Sequence, residues 1–257
     1  SQAVTYYEHK KEEMSRKGLL AKSGLATVFR MLGRCVPAEE MFRHCLVGFE
    51  ALLGKRNALS VACKGNLART LHQLGKLDEA EPILREMLVI REGALPARDV
   101  KVLAVCTNLA ALLEDRDTFA EARELRLRVL RAFESTRPSD DEDTMVARSN
   151  YAVCLVKQGM WVEAETPSRV AFEHMKSLLG FDEPSTMNSC SAYIAVLRKL
   201  KKFHLAEPLC REMLRLETEN KGGNHADTVH ALNVLGTLVQ DSGDLAGAEE
   251  LYRDAVA

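Results

Sequence analysis

The chain has 257 residues, 46% of them hydrophobic and 28% charged, with 35 Lys and Arg against 37 Asp and Glu and a formal net charge of -2. That apolar content excludes a disordered polymer, and the near-neutral balance gives no global attraction to nucleic acid or to an acidic membrane. No run of about 18 uncharged apolar residues is available to span a bilayer, and the opening SQAVTYYEHKKEEMSRKG lacks the apolar stretch of a secretory signal peptide.

In chain order, the first residues already belong to a pattern. SQAV at 1–4 falls in register with REML at 85–88 and RDAV at 253–256, so residues 1–16 read as the end of a preceding helical unit. AEPILREML at 80–88 then returns as AEPLCREML at 206–214, seven identities in nine positions. The offset of 126 is three steps of 42, and the step recurs throughout. One column reads Ala38, Ala80, Ala122, Ala164, Ala206, Ala248, followed by Glu39, Glu81, Arg123, Glu165, Glu207, Glu249. Five residues before the alanine stand Gly33, Gly75, Asp117, Gly159, Lys201 and Gly243, and thirteen before it Leu25, Leu67, Leu109, Tyr151, Tyr193 and Leu235. The units are 17–58, 59–100, 101–142, 143–184, 185–226 and an incomplete 227–257, in a single array over 1–257.

Within a unit the apolar spacing is helical. Leu67, Ala68, Leu71 and Leu74 mark one face, Gly75-Lys76 interrupts it, and Leu77, Ala80, Leu84, Met87 and Leu88 resume it. Each unit is therefore helix, tight turn, helix, with the alanine at a close helix crossing. Asp143-Thr144, Ser185-Thr186 and Asp227-Thr228 are expected to cap the next helix. Pro82 and Pro208 fall about one turn into the second helix, where a lost backbone bond is cheap. A helical pair cannot bury its own apolar face, so neighbouring units stack. Neither end carries a polar cap, and the chain is expected to continue, or to be covered by partners, at both ends.

Seven cysteines, at 35, 45, 63, 106, 154, 190 and 210, form no CxxC pair and fall mostly at apolar positions. They read as reduced core residues of a protein in the cytoplasm or another reducing intracellular compartment.

These columns resemble the tetratricopeptide repeat: a small residue in the first helix (Ala26, Ala68, Ala110, Ala152, Gly236), glycine at the turn and alanine in the second helix. The 42-residue period, Asn66-Leu67-Ala68, Asn108-Leu109-Ala110, the EAEP segments and the connectors LGFDEPST (179–186) and GGNHADT (222–228) are similar to the kinesin light chain and nephrocystin-like subfamily. Departures fall at Asp117, Arg123, Ile194 and the connector 135–142. The resemblance implies an all-α fold, a right-handed α-solenoid of about six helix-turn-helix repeats. It implies a concave groove, lined by the first helices, that recognises protein or peptide.

The position one before the Leu/Tyr column is expected to face that groove. It reads Gly24, Asn66, Asn108, Asn150, Ala192, Val234, and the three asparagines form a ladder able to donate to and accept from an extended peptide backbone. The alternative is an interhelical hydrogen bond or plain solvation. Nearby positions add Thr107, Ser149, Ser191 and Asn233, then Arg69, Lys157 and Arg198, a basic set suited to acidic side chains around an apolar anchor. The arginines of ARELRLRVLR (123, 126, 128, 131) lie on a second helix, unrepeated and without interleaved aromatics, and read as a solvated outer face rather than a nucleic-acid surface. No GxSxG, HExxH or phosphate loop occurs, and His225 and His230 have no companions to complete a metal site. No catalytic residue, metal or cofactor is expected. The leading expectation is a non-catalytic module that clasps a partner segment. The alternative is a structural subunit held through its convex face and ends, again with protein partners, no nucleic acid and no insertion into a membrane.

Overall fold

A computed structural model describes residues 15–138 and 141–256. Residues 1–14, assigned above to a preceding unit, lie outside the described residues. Among those described there are twelve helices and no strand. We label them α1 (Arg16–Met31), α2 (Cys35–Leu53), α3 (Ala58–Gln73), α4 (Leu77–Glu92), α5 (Val100–Asp115), α6 (Phe119–Glu134), α7 (Glu142–Lys157), α8 (Trp161–Leu179), α9 (Pro184–Lys199), α10 (Phe203–Lys221), α11 (Ala226–Ser242) and α12 (Leu245–Val256). The odd-numbered A helices start at residues 16, 58, 100, 142, 184 and 226, and the even-numbered B helices at 35, 77, 119, 161, 203 and 245. Every step is 42 residues. Two compact units divide the chain between Leu125 and Arg126.

The repeat columns have distinct physical jobs. The six alanines are the tightest points of packing, at 0% to 3% exposure, and no larger side chain fits a contact that close. The small residue of α11 shows the same limit: a Cβ on Gly236 would stand 2.9 Å from the Tyr252 ring. The turn column holds positive φ at all six positions, including Asp117 (57°) and Lys201 (56°), where the side chain resists that conformation. The turn is thus set by the packing of the pair, and glycine only makes it cheaper.

The glutamate after the alanine joins successive repeats. Glu39 of α2 meets Lys76 at 2.8 Å, Glu81 of α4 meets Arg116 at 3.1 Å, and in the second unit Glu165 of α8 meets Lys202 at 2.6 Å. Burial would raise the Glu39 carboxyl, but Lys76 and Arg43 outweigh it and hold it below the usual carboxylate range. In the first unit Arg43 and Arg85 also reach the next B helix, at Glu79 (2.5 Å) and Glu121 (2.7 Å). Lys64 of α3 is 3% exposed and lies between Glu50 (3.0 Å) and Glu86 (2.5 Å), so its buried charge is compensated.

The A-helix caps differ from expectation. They are Ser15, Asn57, Asp99, Asp141, Glu183 and His225, two or more residues before the Asp143, Ser185 and Asp227 positions proposed from sequence. The side chains of Ser15, Asn57, Asp99, Asp141 and His225 accept a first-turn N–H, whereas Glu183 does not and is followed by Pro184 at the helix start. The threonines instead lie inside the first turn and are buried. In that column Ser60 and Thr228 donate to the carbonyls of Gly54 and Gly222, each at 2.8 Å, which ties the helix start to the end of the preceding B helix. The B helices have two lengths. Those followed by Gly54, Gly180 and Gly222 run 19 residues, while α4 and α6, with Pro96 and Pro138 in the same column, run 16. A residue before proline disfavours helical ψ, so the last turn is lost there.

Candidate functional site

In the second unit the A helices are separated by clefts floored by B helices. The first, about 530 Å³, lies between α7 and α9 over α8. Its lining includes Ser149, Ala171, Met175, Ser185, Asn188 and Ser189. Adding 42 to each gives Ser191, Met213, Glu217, Asp227, His230 and Ala231, and these six line a second cleft between α9 and α11 over α10. The same hollow therefore occurs twice, one repeat apart. It follows from the architecture, because two A helices side by side leave a furrow where the intervening B helix recedes.

The two copies differ in chemistry. The first is apolar: Val153 and Val156 of α7 and Met175 of α8 form its walls, with Lys157 its charged group. It adjoins a further hollow in which Met145, Val146 and Asn150 of α7 face Leu178 and Leu179 of α8. Val146 (49%), Val153 (41%), Leu178 (63%) and Leu179 (48%) are unusually exposed for their type. In the second copy the equivalents of Val146, Met175, Leu178 and Leu179 are Asn188, Glu217, Asn220 and Lys221. Asp182 joins them. Lys221 reaches Glu217 at 2.8 Å and Asp227 at 2.7 Å. The hydrogen bond to Asp227, then that to Glu217, raises the Lys221 ammonium, and the Asp227 carboxyl is held below its ordinary value by the same lysine.

Of the ten residues expected to bind, Ser149, Lys157 and Ser191 line these clefts, and Asn150 lines the adjoining hollow. Ser191 donates to the Met187 carbonyl at 3.0 Å, within its own helix. Asn150 is half-buried, as are Asn66 and Asn108 in the first unit. The Asn66 amide oxygen accepts from Arg69 at 2.6 Å, so one rung of the ladder is engaged locally. Burial, then the nearby Arg30, pushes the Arg69 guanidinium below its ordinary value. Thr107 donates to the Leu103 carbonyl at 3.0 Å. Arg198 stands 3.6 Å from Asp241, and Asn233 is exposed on α11. Neither Arg198 nor Asn233 lines the two clefts.

Sequence reasoning passed over Val146, Val153, Val156, Met175, Leu178 and Leu179 on one side and Asp182, Glu217 and Asp227 on the other. The signal that marks them is disagreement within a column: Val156 aligns with Glu114, Arg198 and Gln240. An apolar residue that faces solvent where its equivalents are polar has no packing reason to be there. One charge reading is corrected as well. Arg126, taken as part of a solvated face, is buried at 7% exposure. Among the described residues no group of three or more His, Cys, Asp or Glu side chains is placed to hold a metal ion, and no helix is long and apolar enough to cross a membrane. Six of the seven cysteines are buried and all are free. Burial pushes the Cys63 and Cys210 thiols up to about 12 and raises Cys190 as well, which leaves little nucleophilic thiolate at neutral pH.

Comparison with known proteins places this geometry. The family model described as tetratricopeptide repeat matches residues 19–92 and 185–257, more than half of the chain. The chain belongs to the tetratricopeptide repeat family. Tetratricopeptide repeats are protein-interaction modules, and the clefts between their A helices are surfaces of that kind. No curated protein matches the chain in sequence. Among solved structures it is similar to kinesin light chain TPR-like repeats of Podosopora anserina (TM-score 0.70, 19% identity, 79% of this chain and 96% of that one). It is also similar to BtubC from P. vanneervenii (TM-score 0.64, 16% identity, 93% and 90%). A third is YrrB, described as a tetratricopeptide repeat protein with an unusual peptide-binding site (TM-score 0.55, 15% identity, 81% and 88%). Identities this low speak for the shared fold of kinesin light chain-like helical repeats. Residues 93–184, which the family model leaves unmatched, include α7 and α8 and thus the apolar cleft.

Proposed function

We propose that this tetratricopeptide repeat protein is a non-catalytic interaction module that holds an extended segment of a partner protein along its A helices. In the second unit the segment lies in the furrow between α7, α9 and α11. The observation that carries this reading is the recurrence of one cleft at a 42-residue interval, apolar and open in one copy and polar in the other. A regular series of hollows with alternating chemistry suits a chain in extended conformation, whose side chains advance at a fixed rise. The half-buried amides of Asn108 and Asn150 are placed for backbone contact from the neighbouring face. The free, buried cysteines favour work in a reducing compartment such as the cytoplasm.

A second reading is a structural subunit that docks through other faces. It draws on α12, where Leu245 (68% exposed) and Val256 (89% exposed) border an apolar hollow with Ala248 and Tyr252. The two are separated by capturing partners from a cell extract on the immobilised chain and on two variants, Val153→Glu in the furrow and Leu245→Glu on α12. Both sites are exposed, so circular dichroism is expected to be unchanged. The proposal expects Val153→Glu to lose most of the captured protein and Leu245→Glu to keep it. The reverse pattern establishes the structural reading.

A further inference from the structure

The furrow's two copies are read here for the sequence they select, which rests on the peptide-clasping function proposed above. The apolar copy offers Val153, Val156 and Met175, and its one charged wall residue, Lys157, is exposed. It is a seat for a large apolar side chain. In the next copy Asp182, Glu217 and Asp227 supply three carboxylates against the single ammonium of Lys221. That lysine is already shared between Glu217 and Asp227, so the cleft keeps a surplus of negative charge with Asp182 exposed at its edge. Expectation from sequence alone ran the other way, toward acidic ligands met by Arg69, Lys157 and Arg198. Of these, only Lys157 borders the two clefts, and Arg198 turns to Asp241.

Packed helices stand about 8–10 Å apart, and an extended peptide advances about 3.3 Å per residue. One repeat of the furrow therefore spans about three residues of ligand. We infer that the second unit selects an extended peptide carrying a large apolar residue and, about three positions away, a lysine or arginine. The apolar side chain fills the cleft of α7, α8 and α9. The cation enters the cleft of α9, α10 and α11 and pairs with the carboxylates that Lys221 leaves uncompensated. A mostly polar furrow with one apolar seat gives register as well as affinity, because a slip of one repeat would put the apolar residue among carboxylates.

The test is an oriented library of synthetic extended peptides with randomised central positions, sorted on the whole chain and sequenced. The expected selection is an apolar residue at one position and Lys or Arg about three away, enriched about three- to fivefold, the scale of one partly exposed ion pair. In an Asp182→Asn/Asp227→Asn variant the basic preference should disappear while the apolar preference persists. Val153→Ser should do the opposite. All three sites are exposed, and a matching thermal melt confirms that each variant is folded. If the wild-type chain selects an apolar residue but an acidic residue or none at that spacing, the inference fails and the peptide-clasping function stands. If the basic preference survives in the Asp182→Asn/Asp227→Asn variant, the inference fails in the same way. Selection of an amphipathic helical spacing overturns the extended binding mode, and no selection at all overturns both readings.

Discussion

Lys201 and Asp117 occupy turn positions that four other repeats give to glycine, and both hold φ near +57°. For a side chain with a Cβ this conformation costs about 1–2 kcal/mol, partly offset in glycine by about 0.5–1 kcal/mol of extra chain entropy lost on folding. Lys201→Gly should therefore raise stability by about 0.5–1 kcal/mol, seen as a higher urea midpoint with an unchanged slope. Asp117→Gly should gain less, since aspartate tolerates the left-handed region better. At this scale the sequence was legible wherever a residue answers a demand that every repeat shares. The alanine column was such a case, since close packing leaves one solution. The binding residues were not, because they lie where the columns disagree: Val146, Asn188 and His230 share a position and nothing else. The asparagine ladder was visible as a pattern, yet Asn66 turned out to be engaged by Arg69, a contact between neighbours on one helix that no column comparison reveals.

The helices themselves were placed closely from periodicity, to within one residue of a strict 42-residue step, because six noisy copies average out local ambiguity. Their caps were not. Asp-Thr and Ser-Thr pairs carry good capping chemistry, but the connector runs through Asp141, Glu183 and His225 first, and the threonines are drawn inward to the carbonyl of the preceding helix. The cap positions give a matched pair of expectations. Asp99→Ala, which removes the acceptor for the Lys101 N–H at 2.8 Å, should cost about 1 kcal/mol. Glu183, whose side chain makes no cap hydrogen bond, is a place to gain: Glu183→Ser should add about 0.5–1 kcal/mol. Chemical denaturation of both variants beside the parent chain reads the two signs.

Across the whole molecule the apolar interior carries an ionisable group in many of its layers. The thiols of Cys63 and Cys210 are raised by burial from 9.0 to about 12, and Cys190 is raised too. A folded-state value above the unfolded one means that the native chain holds protons the unfolded chain releases. This contribution is intact below about pH 9 and is lost as pH climbs from 9 toward 12. The protein should thus weaken on that alkaline side, and a Cys63→Ala/Cys190→Ala/Cys210→Ala variant should show a smaller fall in denaturation midpoint between pH 8 and pH 11. Cavity formation lowers its absolute stability at both values, so the slope against pH is the quantity to compare.

The B helices of 19 and 16 residues have a consequence for how such a chain changes over time. Helix length and connector length trade against each other, so that cap-to-cap distance stays at 42 residues whether glycine or proline ends the helix. Loss or duplication of 42 codons, begun at any point, would leave every remaining cap, turn and alanine in phase with its neighbours. Inheritance can therefore lengthen or shorten this protein by whole repeats and shift a binding cleft along it, without redesigning a single joint.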